Sequence, residues 1–358
     1  MTSARFDNRL IQVLQQVAPG THLREGLERV LRAEKGALVV LGAPPQVQAL
    51  FSGGFRIDVP FTAQRLSELA KMDGALVLDK AARNILWANV HLMPDPAMPT
   101  SETGTRHRTA ERVAKQTHVP VVTVSESMHI LTLYLDDLRH VLDNVANVLS
   151  RGNQTVQTLA HYRARFDELA GHLTGLELDG AAAQRDVLAV LTSAEMLCRI
   201  AEELERYVAE LGVDGRLLRL QLDELGDGVD EARTLVIRDY LRVRDGLTVS
   251  GVLAELAGLT PEELSDPVAL AKVVNLTGDP EALDAVLTPH GYRALAKVPE
   301  LPAWVVDRVA ERFGSLKVLL TASVEDLEEV EGIDRVRARQ VRDGLGRLAE
   351  ASMVEYYP

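Results

Sequence analysis

Between about residue 151 and residue 235 the chain offers no strand candidate comparable in strength to those before it, where short apolar runs interleave with helical patterns. This change of hydrophobic period fixes the fold class, because a period of two builds sheets and a period near 3.6 builds amphipathic helices. In the first part, "RLIQVLQQVAPG" reads as an amphipathic helix stopped by Pro19-Gly20. "HLREGLERVLRAEKG" follows, with Leu23, Leu27, Val30 and Leu31 on one face. "ALVVLG", "GALVLD", "ILWANV", "VPVVTVS" and "HILTLYL" are strand candidates, and "TAQRLSELAKM" is a helix lying among them. That alternation predicts a mixed α/β layer domain ending near residue 145. Beyond it, "QRDVLAVLTSAEMLCRIAEELERYVAELG" carries Val187, Val190, Leu191, Leu197, Ile200, Leu204, Val208 and Leu211 at helical spacing, a helical spine or bundle. The expectation is a multidomain α/β + α chain divided at 1–145, 146–290 and 291–358.

Charge follows the same division. Residues 1–150 hold 16 basic and 15 acidic residues, residues 151–290 hold 13 and 25, and residues 291–358 hold 10 and 12. The formal charge of -13 therefore belongs to the middle, and the two ends are not barred from an anionic partner. The single cysteine, Cys198, lies in an apolar helical pattern and reads as a packed thiol rather than a nucleophile. A lone cysteine fits a reducing compartment. The N-terminal stretch has neither the long apolar run of a membrane span nor the form of a signal peptide, so a cytoplasmic protein is expected.

Three short stretches carry chemistry. "HLMPDPAMPTSETG" is a proline-rich loop, and "TRHRTAERVAKQ" after it takes up helical spacing, with Glu111 and Lys115 as an i,i+4 pair. Arg106, His107 and Arg108 then fall at a loop-to-helix junction, where free N–H groups and the helix dipole favour an anion. Guanidinium groups there make a phosphate clamp, or the triplet is a solvated basic turn. In "KMDGALVLD", Asp73 stands at the mouth of a buried strand, as a metal ligand or proton acceptor, or as half of an ordinary Asp-Gly turn. "VSES" places Ser125, Glu126 and Ser127 at the end of another strand, a second carboxylate with hydroxyls, or a plain strand-end loop.

Taken together, "GALVVLG", "DGA", "GTRHRTA" and "VSE", in this order and spacing, resemble the diadenylate cyclase domain, whose DGA and RHR motifs are intact here. The helical middle and a terminal pair of helix-turn-helix patterns resemble the DNA-integrity-scanning branch of that family. The resemblance implies that two ATP molecules condense to cyclic di-AMP and two pyrophosphates, across two facing subunits of a homo-oligomer, an octamer in this branch. It further implies Mg²⁺ or Mn²⁺ held by Asp73 and Glu126. Asp73 would polarise the attacking hydroxyl, and Arg106 and Arg108 would stabilise phosphate charge. His107 would hold a phosphate, coordinate metal or keep the loop in shape. Gly74, Ala75 and Leu92 are implied to lie near the nucleoside, and Thr105, Thr109 and Ser125 near the phosphates.

The C-terminal "EVEGIDRVRARQVRDGL" resembles a RuvA-like helix-hairpin-helix domain. Such hairpins aim backbone N–H groups at DNA phosphates, with little regard for sequence. The resemblance places Gly332, Ile333, Arg335, Arg337 and Arg339 at the DNA, with Arg342 adding positive charge. It implies that branched or junction DNA suppresses synthesis in a cytoplasmic, nucleoid-associated protein. One departure stands out: Asp334 occupies the hairpin position usually held by a second glycine, and a carboxylate beside a phosphate path weakens binding.

Overall fold

The computed structural model describes residues 2–241 and 248–356. The chain divides into two compact units, one of residues 1–156 and 203–222, the other of residues 157–202 and 223–358.

The first unit is built on an eight-stranded mixed sheet. Its strands are β1 (Ala37–Leu41), β2 (Phe51–Ser52), β3 (Phe55–Pro60), β4 (Ala75–Leu78), β5 (Asn84–Leu92), β6 (Val121–Ser125), β7 (Ile130–Leu135) and β8 (Leu138–Leu142). The order is β2-β5-β4-β1-β6-β7-β8, with β3 also paired to β5. Only β1 and β4 run parallel, and the other pairs are antiparallel. Helices α1 (Thr2–Val17), α2 (His22–Arg32), α3 (Pro45–Gln48), α4 (Ala63–Leu69) and α5 (Thr105–Thr117) complete the layers.

Alternate residues of the central strands feed two cores. Val39, Leu41, Leu76, Leu78, Val122 and Val124 pack with Leu14, Leu27 and Leu66 of α1, α2 and α4. Leu38, Val40, Ala75, Val77 and Val121 pack on the other side with Val47 of α3 and Ala110, Val113 and Ala114 of α5. With both faces covered, β1, β4 and β6 are buried along their whole length, which is why β1 and β4 read as unbroken apolar runs and β6 is interrupted only by Thr123 and Ser125.

All five strand candidates of the sequence are strands. The sheet also holds β2, β3 and β8, which the sequence reading left out. These lie toward the sheet's two sides, and β3 and β8 carry Arg56, Asp58, Pro60 and Arg139 on exposed positions and His140 on a half-exposed one.

The helical region begins with α6 (Val145–Asp179), α7 (Gln184–Leu211), α8 (Arg216–Gly226) and α9 (Val229–Tyr240). It continues through α10 (Val249–Gly258), α11 (Pro261–Ser265) and α12 (Pro267–Val273), then α13 (Tyr292–Ala296), α14 (Ala303–Phe313), α15 (Leu316–Thr321), α16 (Val324–Glu328) and α17 (Arg335–Tyr356). In the second unit, helices α13 to α17 share one apolar core, including Leu295, Val305, Val309, Leu319, Leu327, Ile333 and Val341. A buried ionic cluster pins the start of α13. The Arg293 guanidinium donates to Glu177, the Tyr240 hydroxyl donates to the same carboxylate oxygen at 2.7 Å, and Asp239 accepts from the N–H groups of Gly291, Tyr292 and Arg293. Burial pushes the Cys198 thiol up to about 12, so at neutral pH it is a protonated thiol and no nucleophile.

Candidate active site and C-terminal hairpin

The register of the sheet brings four strand ends together. Leu38 pairs with Ala75, Ala37 with Val124, and Ala75 with Val90. The beginnings of β1 and β4 therefore meet the ends of β5 and β6 along one margin, and the first turn of α5 adjoins them. A cleft of about 800 Å³ opens there. Such a volume suits a nucleotide-sized ligand, small-molecule clefts spanning about 300–1,000 Å³. It is lined by Asp73 and Gly74 just ahead of β4 and Ala75 at its start, by Leu92 from β5, by Thr105, Arg106, His107 and Thr109 from α5, and by Ser125 at the end of β6 and Glu126 after it. Gly104 and Ser127 join them, and four residues that the sequence does not single out, Leu38, Val90, His91 and Met93, complete the wall.

Two glycines shape it. Gly74 has φ +118, and a Cβ there would lie 2.8 Å from the backbone of Asn89 in an irregular part of the β4–β5 pairing. Only glycine takes both that backbone conformation and that contact. Gly36, just ahead of β1, is the seat of Arg106: an added Cβ would overlap the guanidinium. The arginine thus crosses from α5 to the base of β1.

The α5 N-terminus is open. Gly104 is the N-cap and makes no side-chain capping bond, so the first N–H groups of the helix have no side-chain acceptor at that cap. Arg106 lies half-buried in the cleft, while Arg108 is exposed and does not line it, two residues being more than half a helical turn apart. The Thr109 hydroxyl donates to the Thr105 carbonyl at 2.9 Å, leaving only its lone pairs for a ligand. Ser125 is buried and accepts from the Met128 N–H at 3.4 Å, and Asp73 and Glu126 are exposed.

His107 is the buried member of the triplet. Its Nδ1 lies 2.8 Å from the Tyr134 hydroxyl and 3.1 Å from the Thr123 hydroxyl. Tyr134 donates onward to Glu102 at 2.9 Å, and Arg139 donates to the same Glu102 oxygen. Burial holds the His107 pKa below its ordinary value; Glu102 opposes this, while Arg139 and Arg106 reinforce it. Behind the triplet, Glu111 accepts from the Thr100 hydroxyl at 2.5 Å, the Ser101 N–H at 3.2 Å and Lys115 at 2.9 Å. These bonds fasten the proline-rich loop to α5.

Among the described residues, no group of three or more His, Cys, Asp or Glu could hold a metal. The exposed carboxylates of Asp73 and Glu126 nonetheless fit a hard divalent ion that takes its remaining ligands from substrate phosphates, the usual way Mg²⁺ is bound.

The hairpin between α16 and α17 is tightly packed. Gly332 turns with φ +83, and the Arg308 guanidinium donates to the Glu331 carbonyl beneath it. Ile333 is buried in the core of this unit, and its N–H donates to the Val330 carbonyl, so this residue serves the turn. Arg335 and Arg339 are exposed, Arg335 lying 3.5 Å from Glu328. Arg337 lies over the ring of Trp304 and 3.5 Å from Asp334. Asp334 itself accepts from the N–H of Arg337 at 2.9 Å, which makes it the side-chain cap of α17.

Family comparisons agree with this geometry. The nucleotide-binding domain of the DisA bacterial checkpoint controller, DAC, matches residues 24–138, and the DisA linker region matches residues 142–283. Fold, cleft and family match together define a diadenylate cyclase. The DNA integrity scanning protein DisA of Acidothermus cellulolyticus is 52% identical over 98% of this chain and 96% of its own length. Those of Frankia alni and Streptomyces coelicolor are 53% and 51% identical, over 96% and 99% of this chain and 96% of each relative. The chain belongs to the DisA family of DNA integrity scanning proteins. Among the described residues no helix is long and apolar enough to cross a membrane.

Proposed function

We propose that the protein condenses two ATP molecules into cyclic di-AMP and two pyrophosphates, with two clefts facing each other and each holding one ATP. The observation that carries this reading is the gathering of Asp73, Gly74, Arg106, Ser125 and Glu126 around one cleft beside an uncapped helix start. Each ribose 3′-hydroxyl attacks the α-phosphorus of the opposite nucleotide, forming one O–P bond as the bond to pyrophosphate breaks. A two-fold product calls for a two-fold pair of sites, so one Asp73 per subunit serves both bonds. Exposed Met72, Met93 and Met128, beside or within the cleft wall, supply apolar surface for such pairing.

In this reading Arg106, seated on Gly36, and the open α5 amides bind triphosphate oxygens and stabilise charge as it develops. Arg108, which does not line its own cleft, would meet phosphate across the pair. Asp73 and Glu126 would hold Mg²⁺ or Mn²⁺, which when bound neutralises phosphate charge and sharpens the attacking hydroxyl. Gly74, Ala75 and Leu92 contact the nucleoside, and Ser125 with the Thr105 and Thr109 hydroxyls lies near the phosphates.

We further assign residues 1–145 to catalysis, 146–290 to a linker, and 291–358 to branched DNA, whose binding lowers synthesis. Arg335, Arg337 and Arg339 supply charge there, Gly332 and Ile333 shape the turn, and the family's octamer would array both functions in the cytoplasm at the nucleoid. The test is incubation of purified protein with ATP and Mg²⁺ or Mn²⁺, with and without a four-way junction, products being resolved by chromatography and mass spectrometry. Cyclic di-AMP, reduced by the junction, is expected. A linear product or unchanged ATP would overturn the cyclase reading, and indifference to the junction would overturn the DNA reading alone.

A further inference from the structure

We propose that Glu102 and Tyr134 are positioning residues for the cyclase reaction, holding His107 as the tautomer protonated on Nδ1 so that the Nε2 lone pair is what the ring offers the cleft. The proposal rests on the reading of this cleft as the cyclase site. It concerns an electron-pair donor at that site rather than another phosphate-binding cation.

The tautomer follows from counting hydrogens. Tyr134 has one hydroxyl proton, and it goes to the Glu102 carboxylate, which also accepts from Arg139. The Tyr134 oxygen therefore faces His107 with lone pairs only. A second lone pair on Nδ1 at 2.8 Å would be repelled, so Nδ1 must carry the proton and donate it. Thr123 donates toward the Thr132 carbonyl, so its oxygen too can share the Nδ1 proton. The direction of these bonds runs His107 to Tyr134 to Glu102, with Arg139 anchoring the end. Burial favours the uncharged ring, and a neutral imidazole protonated on Nδ1 has an unprotonated Nε2. His107 lines the cleft and Nε2 has no hydrogen-bond partner among the described residues, so its lone pair is free for the ligand.

A neutral ring does not hold phosphate as a cation. Its lone pair suits an electron-pair acceptor, either the proton of the attacking hydroxyl or the divalent ion. In the first case the hydroxyl proton passes to Nε2 as the O–P bond forms. The imidazolium is then stabilised through Tyr134 by Glu102, and it releases the proton to water after pyrophosphate departs. Glu102 and Tyr134 touch no reacting atom in either case.

The experiment uses the full-length protein and three readouts: kcat and KM for ATP, calorimetric affinity for an ATP analogue lacking the 3′-hydroxyl, and the thermal midpoint. His107→Asn keeps an N–H for Tyr134 but removes Nε2. It should lower kcat by about 100-fold or more while analogue affinity and thermal midpoint hold. Tyr134→Phe should lower kcat about tenfold at unchanged KM, since the ring loses its fixed tautomer and orientation. Should Tyr134→Phe unfold the protein, Glu102 decides. Glu102→Ala should lose activity and Glu102→Gln should restore it, because the amide oxygen still accepts from Tyr134. Recovery of His107→Asn by excess Mn²⁺ identifies the acceptor as the cation, and loss at saturating metal identifies it as the hydroxyl proton. Wild-type kcat in His107→Asn would reduce His107 to a structural role and overturn the proposal. So would a parallel loss of analogue affinity in His107→Asn, which would make the ring a phosphate ligand. A wild-type protein that makes no cyclic di-AMP would instead fail the cyclase reading itself.

Discussion

The chain contains two helix starts that look alike in sequence and differ in chemistry. At α5 a glycine is followed by Thr105, Arg106, His107 and Arg108; at α17 a glycine is followed by Ile333, Asp334, Arg335 and, one residue on, Arg337. Both put arginines beside a helix start. At α5 the cap is Gly104, which brings no side-chain acceptor, and the amides open toward a cleft. At α17 the cap is Asp334, whose carboxylate already accepts from the third N–H of the helix. A helix N-terminus attracts one anion, and a capping carboxylate is that anion. Basic residues near a helix start thus do not make a phosphate site by themselves. The identity of the cap decides whether the dipole is spent on the fold or kept for a ligand.

The sharpest way to break this contrast is at the cleft. Asp73→Asn removes the ionised carboxylate at the mouth of β4, and cyclic di-AMP formation should fall by on the order of 10³-fold. ATP binding by calorimetry should persist. Retained turnover would take Asp73 out of the chemistry and leave the open helix end and Arg106 to mark the cleft. Next in size is Gly104→Asp, which gives α5 the cap that α17 has. The added Cβ would meet only His107, at 3.7 Å, so the fold accommodates it. Stability should rise by only about a few tenths of a kcal/mol in urea titration, while ATP affinity falls about tenfold as the carboxylate occupies the anion position. If both rise, the open cap has no part in nucleotide binding.

These contrasts also show what the amino-acid sequence made legible. Asp73, Gly74 and the Arg106–Arg108 triplet were readable because the chemistry is contiguous in the chain and punctuated by glycine. The seat of Arg106 on Gly36 was not, since it joins positions 70 apart through the sheet register. Tyr134 lies in a strand buried on nearly every residue, so "HILTLYL" reads as core and hides its hydroxyl in plain view. The edge strands β3 and β8 were lost among charged residues that face solvent. Asp334 was readable as foreign to a DNA hairpin, yet its role as a cap appears only once the start of α17 is placed. An Asp directly before a helical pattern is the available signal.

At the hairpin the expected effects are smaller. Asp334→Asn keeps a capping oxygen and removes the charge, so the thermal midpoint should hold. Junction DNA should then bind about three- to tenfold tighter, roughly the change for one charge near a phosphate path, and the gain should shrink at high salt. Unchanged affinity at low salt would place the DNA away from this helix start and remove the hairpin from the comparison.

The last test asks what holds α5 in place of a cap. Glu111 takes that part from inside the helix, tying Thr100 and Ser101 of the preceding loop and pairing with Lys115. Burial works against its charge, but the Thr100 hydroxyl and Lys115 outweigh burial, and its carboxyl lies below the ordinary value of 4.5. A carboxylate with a lowered folded pKa is deprotonated more readily in the folded state. Its contribution is therefore complete above the unfolded value and is lost as pH falls through the folded one. Glu111→Gln should cost about 1–3 kcal/mol at pH 7 by urea titration, with little change in α17. The gap between wild type and variant should stay level down to about pH 5 and then close as the wild-type carboxylate protonates. A gap that persists unchanged into strong acid would mean that shape rather than charge fastens the loop. The α5 start would then be held open by packing alone, and the contrast with α17 would lie only in its missing cap.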